Sequence, residues 1–217
     1  MQNMMRKRHN TLAVALIGAA VSAAAAACAT TPDDVPAGVG DPADSIAPEV
    51  AAGRAELAAD NAAILANPVG GGSHCAIVLD KIQPGQIQSR VVSYTCAETR
   101  DALASMTAAA ESSVLLMEWW VDLNYGGPGT AILGNGGPCD SAGYGIVDTG
   151  FGWHNIISSL KSFSNCDYVV AYTGTNFGGI SKHWWDPNGI DRIPAVAVSY
   201  VGDSFNDAIN SFRVLRL

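Results

Sequence analysis

The feature of this sequence that most limits its fold is an internal repeat. Residues from about 115 to 163 recur 52 positions further along the chain, and no gap is needed to align them. The segment Trp120-Val-Asp-Leu-Asn-Tyr-Gly-Gly lies over Tyr172-Thr-Gly-Thr-Asn-Phe-Gly-Gly, and four later positions match as Gly150/Gly202, Trp153/Phe205, Ile157/Ile209 and Ser159/Ser211. Because one register holds over two separated blocks, the sequence predicts two units of the same structure.

Each unit has the pattern of a short-stranded β structure. An apolar stretch, 113–120 in the first unit and 167–172 in the second, leads into an Asn-aromatic-Gly-Gly segment. Glycine permits the positive φ of a tight turn. A Gly-rich middle follows, and a stretch with alternating apolar residues, such as 211–217, ends the unit. Several short strands separated by turn signals predict a mainly β, two-sheet sandwich.

The aromatic spacing resembles the Greek-key signature of the βγ-crystallin superfamily. That signature has an aromatic residue, a second aromatic five positions later and a glycine two positions after that; the matching residues are Trp120, Tyr125 and Gly127, then Tyr172, Phe177 and Gly179. The resemblance implies that a later serine, Ser159 or Ser211, ties down the folded turn. It covers residues 114–217, with units of about 114–165 and 166–217, and implies a double Greek key.

The block before the repeat, residues 73–113, predicts a small β-β-α unit. Residues 75–80 and 90–94 have strand composition, and residues 97–111 have helix composition with Thr95 as a candidate cap. Similar cysteine-bracketed segments precede crystallin-like repeats in exported bacterial proteins. We therefore expect an accessory unit held by a disulfide.

The first 29 residues indicate export. Arg6, Lys7 and Arg8 form a basic start, and an uncharged, Ala-rich run follows, too short for a membrane span. The sequence predicts a cleaved signal peptide and a secreted protein. Cys28 offers an alternative, a lipid-anchored protein of the cell envelope, but Ala25 stands where a lipoprotein signal usually has Leu.

Residues 30–72 are acidic and are predicted to form a flexible linker or pro-segment. They contain seven carboxylates against Arg54, begin with Pro, Gly and Asp, and end at three glycines. A helix over 50–65 would have few large apolar residues to bury, which favours partial disorder. The whole chain carries a net charge of −8, so nucleic acid is not an expected partner.

Four cysteines follow Cys28, and an even number in an exported chain predicts two disulfides. Sequence order suggests Cys75 with Cys96 and Cys139 with Cys166, although four cysteines allow three pairings. A metal site is the rival interpretation. No C-x-x-C spacing supports it.

The resemblance also implies a calcium site. Microbial members of the superfamily often bind Ca²⁺ through N/D-N/D-x-x-S/T-S, where oxygen atoms from each loop meet a hard cation. The candidate ligands are Asn155 and Ser158 in the first unit and Asn206, Asp207 and Asn210 in the second. His154 replaces the first Asn/Asp and Asn210 replaces the Ser/Thr, so the Asp207/Asn210 loop is the better candidate and any site is weak. The alternative is that both loops only close turns.

No catalytic residues are predicted. Gly202-Asp203-Ser204-Phe205 resembles the start of an esterase motif, but no histidine follows it. Trp184 and Trp185 are adjacent, so on a strand one faces the core and the other is exposed, where it could bind a partner or a sugar. We predict a secreted, non-enzymatic, monomeric domain with calcium as its candidate cofactor. Two alternatives remain: a secreted peptidase inhibitor, because a Streptomyces metalloproteinase inhibitor shares this fold, and a module that binds cell-wall or fungal carbohydrate.

Overall fold

A computed structural model describes residues 48–107, 113–150, 152–189 and 192–217. The predicted signal peptide, Cys28 and residues 30–47 lie outside the described residues. The helices are α1 (Pro48–Leu65) and α2 (Arg100–Thr107). The strands are β1 (Val69–Gly70), β2 (His74–Leu79), β3 (Val91–Ala97), β4 (Val114–Trp120), β5 (Gly129–Gly134), β6 (Tyr144–Ile146), β7 (Ser159–Ser162), β8 (Tyr168–Tyr172), β9 (Ser181–Trp185), β10 (Val196–Val198) and β11 (Ser211–Leu215).

The two repeats build two sheets by exchanging one strand each. Sheet A has the order β1-β3-β2-β5-β4-β7-β10, and sheet B has the order β6-β11-β8-β9. Thus β10 of the second repeat pairs with β7 of the first, and β6 of the first pairs with β11 of the second. Each pair of equivalent strands, such as β6 and β10, lies 52 residues apart, as the sequence alignment requires. The predicted two-sheet Greek-key sandwich is confirmed.

The core lies between the two sheets and draws on both repeats. Trp119 of β4 is fully buried; its ring stacks on Phe212 of β11 at 5.3 Å between centroids and meets Trp153 edge-on at 6.1 Å. Trp153 and its equivalent, Phe205, are each 4% exposed. The repeat therefore extends to the side-chain environments.

The two Asn-aromatic-Gly-Gly segments form equivalent turns, each fastened by a buried serine. Ser159 Oγ donates to the Asp122 carbonyl at 2.6 Å and accepts from the Tyr125 N–H at 3.1 Å. Ser211 Oγ makes the same two bonds to Gly174 and Phe177, at 2.6 and 3.2 Å. Both aromatic residues and the glycines Gly127 and Gly179 have positive φ. The serine role implied by the resemblance is thus present in both repeats.

We expect Ser159→Ala and Ser211→Ala each to lower the free energy of unfolding by about 1–3 kcal/mol, because each change leaves a backbone donor and acceptor without the hydroxyl. Urea unfolding measures both, and the two losses should agree within about 0.5 kcal/mol. Ser204→Ala, on an exposed loop, is the control. A loss in one variant only would contradict the equivalence of the turns.

The β-β-α unit is present, but it is part of a larger sheet. Strand β2 pairs antiparallel with β3 and parallel with β5 over six residue pairs, from His74↔Gly129 to Leu79↔Gly134. The unit therefore lengthens sheet A. The predicted cap is corrected as well: Thr95 lies within β3, and Thr99 Oγ1 accepts the Ala102 N–H at 3.2 Å at the start of α2.

The expectation of a flexible linker over 30–72 is wrong for its second half, where α1 packs against β3. A polar residue makes this possible. The side chain of Asn61, 3% exposed, donates to the Ser89 carbonyl at 2.8 Å and accepts from the Val91 N–H at 2.7 Å. Leu65 at the end of the helix is buried in the main core. An Ala-rich helix with few large apolar residues is thus held to the sheet by the Asn61 side-chain amide, which pairs with backbone groups of Ser89 and Val91 as a neighbouring strand would.

Both disulfides form in the order that the sequence suggested. Cys75 and Cys96 are directly opposite each other on β2 and β3. Cys139 is joined to Cys166, which ties the loop before β6 to the residues that lead into β8. One disulfide therefore joins the two strands of the added hairpin, and the other spans the boundary between the two repeats.

Candidate functional site

The two loops predicted to bind calcium, residues 154–159 and 206–211, cross each other at the interface of the repeats. The Asn155 N–H donates to the Ile209 carbonyl, and the Asp207 N–H donates to the Ile157 carbonyl, both at 3.4 Å. Asn155 and Asp207 have φ of 58° and 54°. Short polar side chains tolerate this left-handed conformation, which explains why Asn and Asp occupy these positions.

At the first crossing, the side chain of Asn210 lies against Asn155 of the other repeat. Asn210 Nδ2 donates to Asn155 Oδ1 at 3.0 Å and to the Thr173 carbonyl at 2.7 Å. The Asn210 Oδ1 atom is buried without a hydrogen-bond partner. An amide NH₂ group therefore sits between two oxygen atoms that a cation would otherwise bring together. The residues present here do not fit a calcium ion in this arrangement.

At the second crossing, Asp207 and Ser158 occupy the positions equivalent to Asn155 and Asn210. Asp207 is exposed and accepts from Asn206 Nδ2 at 2.8 Å, whereas Ser158 is 5% exposed. The Asn206 Oδ1 atom is buried and has no partner. These residues supply a carboxylate, a hydroxyl and an unused amide oxygen, which are donors that suit a hard cation.

Negative charge is concentrated beside the second crossing. The hydroxyl of Tyr200 donates to Asp203, which raises the pKa of Tyr200, and the charges of Asp203 and Asp207 raise it further. At the first crossing, by contrast, Asp148 is paired with His154 Nε2. The two crossings therefore differ in the charge they offer to a cation.

The structure shows which residues of the two loops face each other. The sequence analysis ranked the Asp207/Asn210 loop above the Asn155/Ser158 loop. In the structure the loops cross, so Asn210 contacts Asn155, and Asp207 stands at the crossing that includes Ser158. No group of three or more His, Cys, Asp or Glu side chains suited to a metal occurs among the described residues.

The tryptophan pair lies on β9, at the edge of sheet B, and its two side chains point to opposite faces of the sheet. Trp184 is half-buried and meets Phe205 edge-on at 6.4 Å, whereas Trp185 is 55% exposed. Trp185 is opposite Tyr168, and the Tyr168 ring stacks on His183 at 5.5 Å. The prediction of one inward and one exposed tryptophan agrees with this arrangement.

Two groups at these candidate sites were not predicted from the sequence. One is the Thr173 carbonyl, a backbone atom that no residue pattern marks. Lys182 is an ordinary lysine in sequence, yet its ammonium group lies over the Trp184 and Phe205 rings at 5.4 and 5.9 Å. The available sequence signal was that Lys182 lies two residues before Trp184 on β9, which places both side chains on the same face of the sheet.

Of the helices that the structure describes, none combines the length and apolar character needed to cross a membrane.

Comparisons with known proteins gave likenesses among solved structures. No protein-family model matches the sequence, and no curated protein matches it. A βγ-crystallin domain from Clostridium beijerinckii is 17% identical, covers 46% of this chain and 97% of its own, and has a TM-score of 0.33. One from Flavobacterium johnsoniae is 22% identical over 46% of this chain and 94% of its own, with a TM-score of 0.32. An archaeal βγ-crystallin is 18% identical over 47% and 99%, with a TM-score of 0.33.

The geometry of the two repeats agrees with the family resemblance of the sequence. Both repeats place the aromatic residue, the positive-φ glycine and the fastening serine in the roles that the resemblance implied. The equivalent strands of the two repeats occupy equivalent places in two sheets. The two repeats of this chain therefore have the double Greek-key fold of the βγ-crystallin superfamily.

Proposed function

We propose that this chain is an exported, non-enzymatic crystallin-like domain that binds Ca²⁺ weakly at the crossing of Asp207 with Ser158. The observation that carries the proposal is the difference between the two crossings. The first is closed by the NH₂ group of the Asn210 amide, whereas the second offers the Asp207 carboxylate, which accepts one side-chain hydrogen bond from Asn206. Export is supported by two disulfides, which persist in oxidising compartments.

The expected affinity is low. One carboxylate and neutral oxygen donors correspond to the weak end of protein calcium sites, a Kd of about 10⁻³ M. Calcium at ten times that Kd would stabilise the domain by about 1.4 kcal/mol. For a chain of this size, such a gain raises the melting temperature by about 3–6 °C.

The test compares thermal unfolding of the purified chain with calcium, with magnesium and with a chelator. We expect calcium to raise the melting temperature of the unaltered chain, and Asp207→Ala to abolish that rise. Asp203→Asn, a charge change beside the crossing, is the matched control and should retain most of it. If the unaltered chain shows neither a shift nor a heat of binding at ten millimolar calcium, the loops are structural and calcium is not a ligand.

A second variant tests why the first crossing is closed. We expect Asn210→Ser to remove the NH₂ group that donates to Asn155 and Thr173, and to restore the hydroxyl of the family motif. Isothermal titration should then show a second calcium equivalent. His154→Asp, which restores an oxygen at the first position of the motif, should strengthen that site. A stoichiometry that stays at one in the double variant would contradict this explanation.

A carbohydrate-binding function is a second candidate, supported by the exposed Trp185 beside Tyr168 and the stacked His183. Aromatic faces at a surface are a usual feature of sugar sites, and exposed aromatic residues mark partners generally. Sedimentation of the chain with insoluble chitin and with peptidoglycan tests it. Trp185→Ala should release the bound fraction, and equal retention of that variant would reject this face. The peptidase-inhibitor alternative rests on the resemblance alone and is tested by assay against secreted metalloproteinases.

A further inference from the structure

The strands β5 and β9 are equivalent in the two repeats, but they differ in whether another strand pairs with their outer edge. In sheet A, the edge of β5 is covered by β2, which runs parallel to it over six residue pairs. The strand equivalent to β5 in the second repeat is β9, and β9 is the last strand of sheet B. One repeat thus has a strand docked on this edge, and the other has an open edge of the same kind.

The backbone of β9 is arranged to accept another strand. The Thr173 N–H donates to the Ile180 carbonyl at 3.0 Å, and the Asp186 N–H donates to the Asp167 carbonyl at 3.1 Å. In an antiparallel pair this alternation directs the N–H and C=O groups of Ser181, His183 and Trp185 away from β8. The side chains of these three residues are exposed. Such a row of outward backbone groups is the template on which β-augmentation occurs.

The inward side of β9 is less complete than its counterpart in sheet A. Trp184 is equivalent to Ile132, which is 1% exposed beneath the added strand, yet Trp184 is only half-buried. The exposed Ile180 precedes the strand and is 68% accessible. A strand docked on β9 would bury the remainder of Trp184, as β2 does for Ile132.

Lys182 supplies a charge at this edge. Its ammonium group donates to the Val201 carbonyl at 2.7 Å and lies against the Trp184 ring. It forms no ion pair with any residue in the part of the chain that the structure describes. A lysine ammonium has three donors, so donors remain for an incoming acceptor.

We propose that the open edge of β9 binds an extended peptide segment of a partner protein, parallel to β9, with a carboxylate opposite Lys182 and a large apolar side chain opposite Trp184. The register follows from sheet A, where Cys75 is opposite Thr130 and Ile77 is opposite Ile132. Thr130 and Ile132 are the equivalents of Lys182 and Trp184. The two guest residues are two positions apart and therefore point to the same face. The recognised pattern is acidic, any residue, apolar.

Lys182 makes this edge selective. An inward-pointing charge on an edge strand disfavours strands that cannot neutralise it, and this discourages indiscriminate pairing. The β9 strand of a second copy is such a strand, because it contains no carboxylate. The partner is therefore a different segment with a matching acid.

The probe is the peptide acetyl-Thr-Thr-Glu-Thr-Ile-Thr-Thr-amide, titrated into the full chain and followed by tryptophan fluorescence and calorimetry. The matched peptide has Lys in place of Glu. One close charge pair corresponds to about a tenfold difference in affinity, so the Glu peptide should bind about tenfold tighter than the Lys peptide. Lys182→Glu should reverse this preference, and Lys182→Gln should remove it, which keeps the test independent of whether one variant folds poorly.

A third peptide separates strand pairing from side-chain binding. The Glu peptide with N-methyl groups on alternate residues cannot donate to the β9 carbonyls, so its affinity should fall below detection. Equal affinity of the N-methylated peptide would overturn the proposal, as would equal affinities of the Glu and Lys peptides for the unaltered chain. Absence of binding by all three peptides would overturn it, and so would a β9-mediated dimer found by analytical ultracentrifugation that Trp185→Pro dissociates. None of these outcomes depends on calcium, so the result is separate from that of the calcium experiment.

Discussion

Replacement of Trp119 by alanine is expected to lower the free energy of unfolding by about 3–5 kcal/mol, the range for loss of a large aromatic side chain from a packed core. Trp119 is fully buried between the sheets, where its indole stacks on Phe212 and meets Trp153 edge-on. These three residues come from different strands and loops of both repeats. The substitution therefore removes contacts that join the two sheets and the two repeats at once.

Urea unfolding at equilibrium, followed by circular dichroism, measures this loss. Trp185→Ala is the matched control, because the same residue type is removed from a position that is 55% exposed. The control should change the free energy of unfolding by no more than about 0.5 kcal/mol. A Trp119→Ala loss as small as that of the control would mean that Trp119 is not at the centre of the core.

Removal of either disulfide is expected to cost about 2–5 kcal/mol. The bridges close segments of 21 and 27 residues, and the entropy of loop closure changes slowly with length, so the two losses should be similar. The variants are Cys75→Ser with Cys96→Ser, and Cys139→Ser with Cys166→Ser. Changing both partners avoids an unpaired thiol.

Thermal and urea unfolding of the two double variants give the losses, and a non-reducing peptide map confirms which bridge remains. Loss of the Cys75–Cys96 bridge should leave the crystallin-like repeats folded, because both cysteines lie in the added hairpin. A linkage of Cys96 to Cys139 in the map would contradict the connectivity. Free thiols at these four cysteines in the purified chain would remove the support that the disulfides give to the proposed export.

The repeat carried most of the information about the fold. An ungapped alignment, two matched turns and short alternating stretches were enough for the sandwich, because Gly127 and Gly179 mark positions where few other residues can turn the backbone. The parallel pairing of β2 with β5 was not predictable, since pairing between distant strands leaves little local signal. A helix over 50–65 was considered from the sequence, but partial disorder was favoured because its anchor is Asn61, a polar residue whose burial depends on carbonyl and amide groups of another segment.

The candidate residues were named from the sequence, but their contacts could not be. Each of the five named residues lies at a loop crossing, and a linear motif does not show which residue of one loop faces which residue of the other. The substitution of Asn210 for Ser/Thr was recognised as a departure. Its consequence, an amide that donates to Asn155 and Thr173, became visible only when the two loops were placed together.

Because β6 and β10 are exchanged between the sheets, each sheet can be completed only at a late stage of synthesis. When only the first repeat has left the ribosome, β6 lacks its partner β11 and β7 lacks its partner β10. Two strand edges are then unpaired until the second repeat has been synthesised. Unpaired edges of this kind are prone to association with other chains. Sheet A therefore cannot be completed before β10 has been translated, and sheet B cannot be completed before β11.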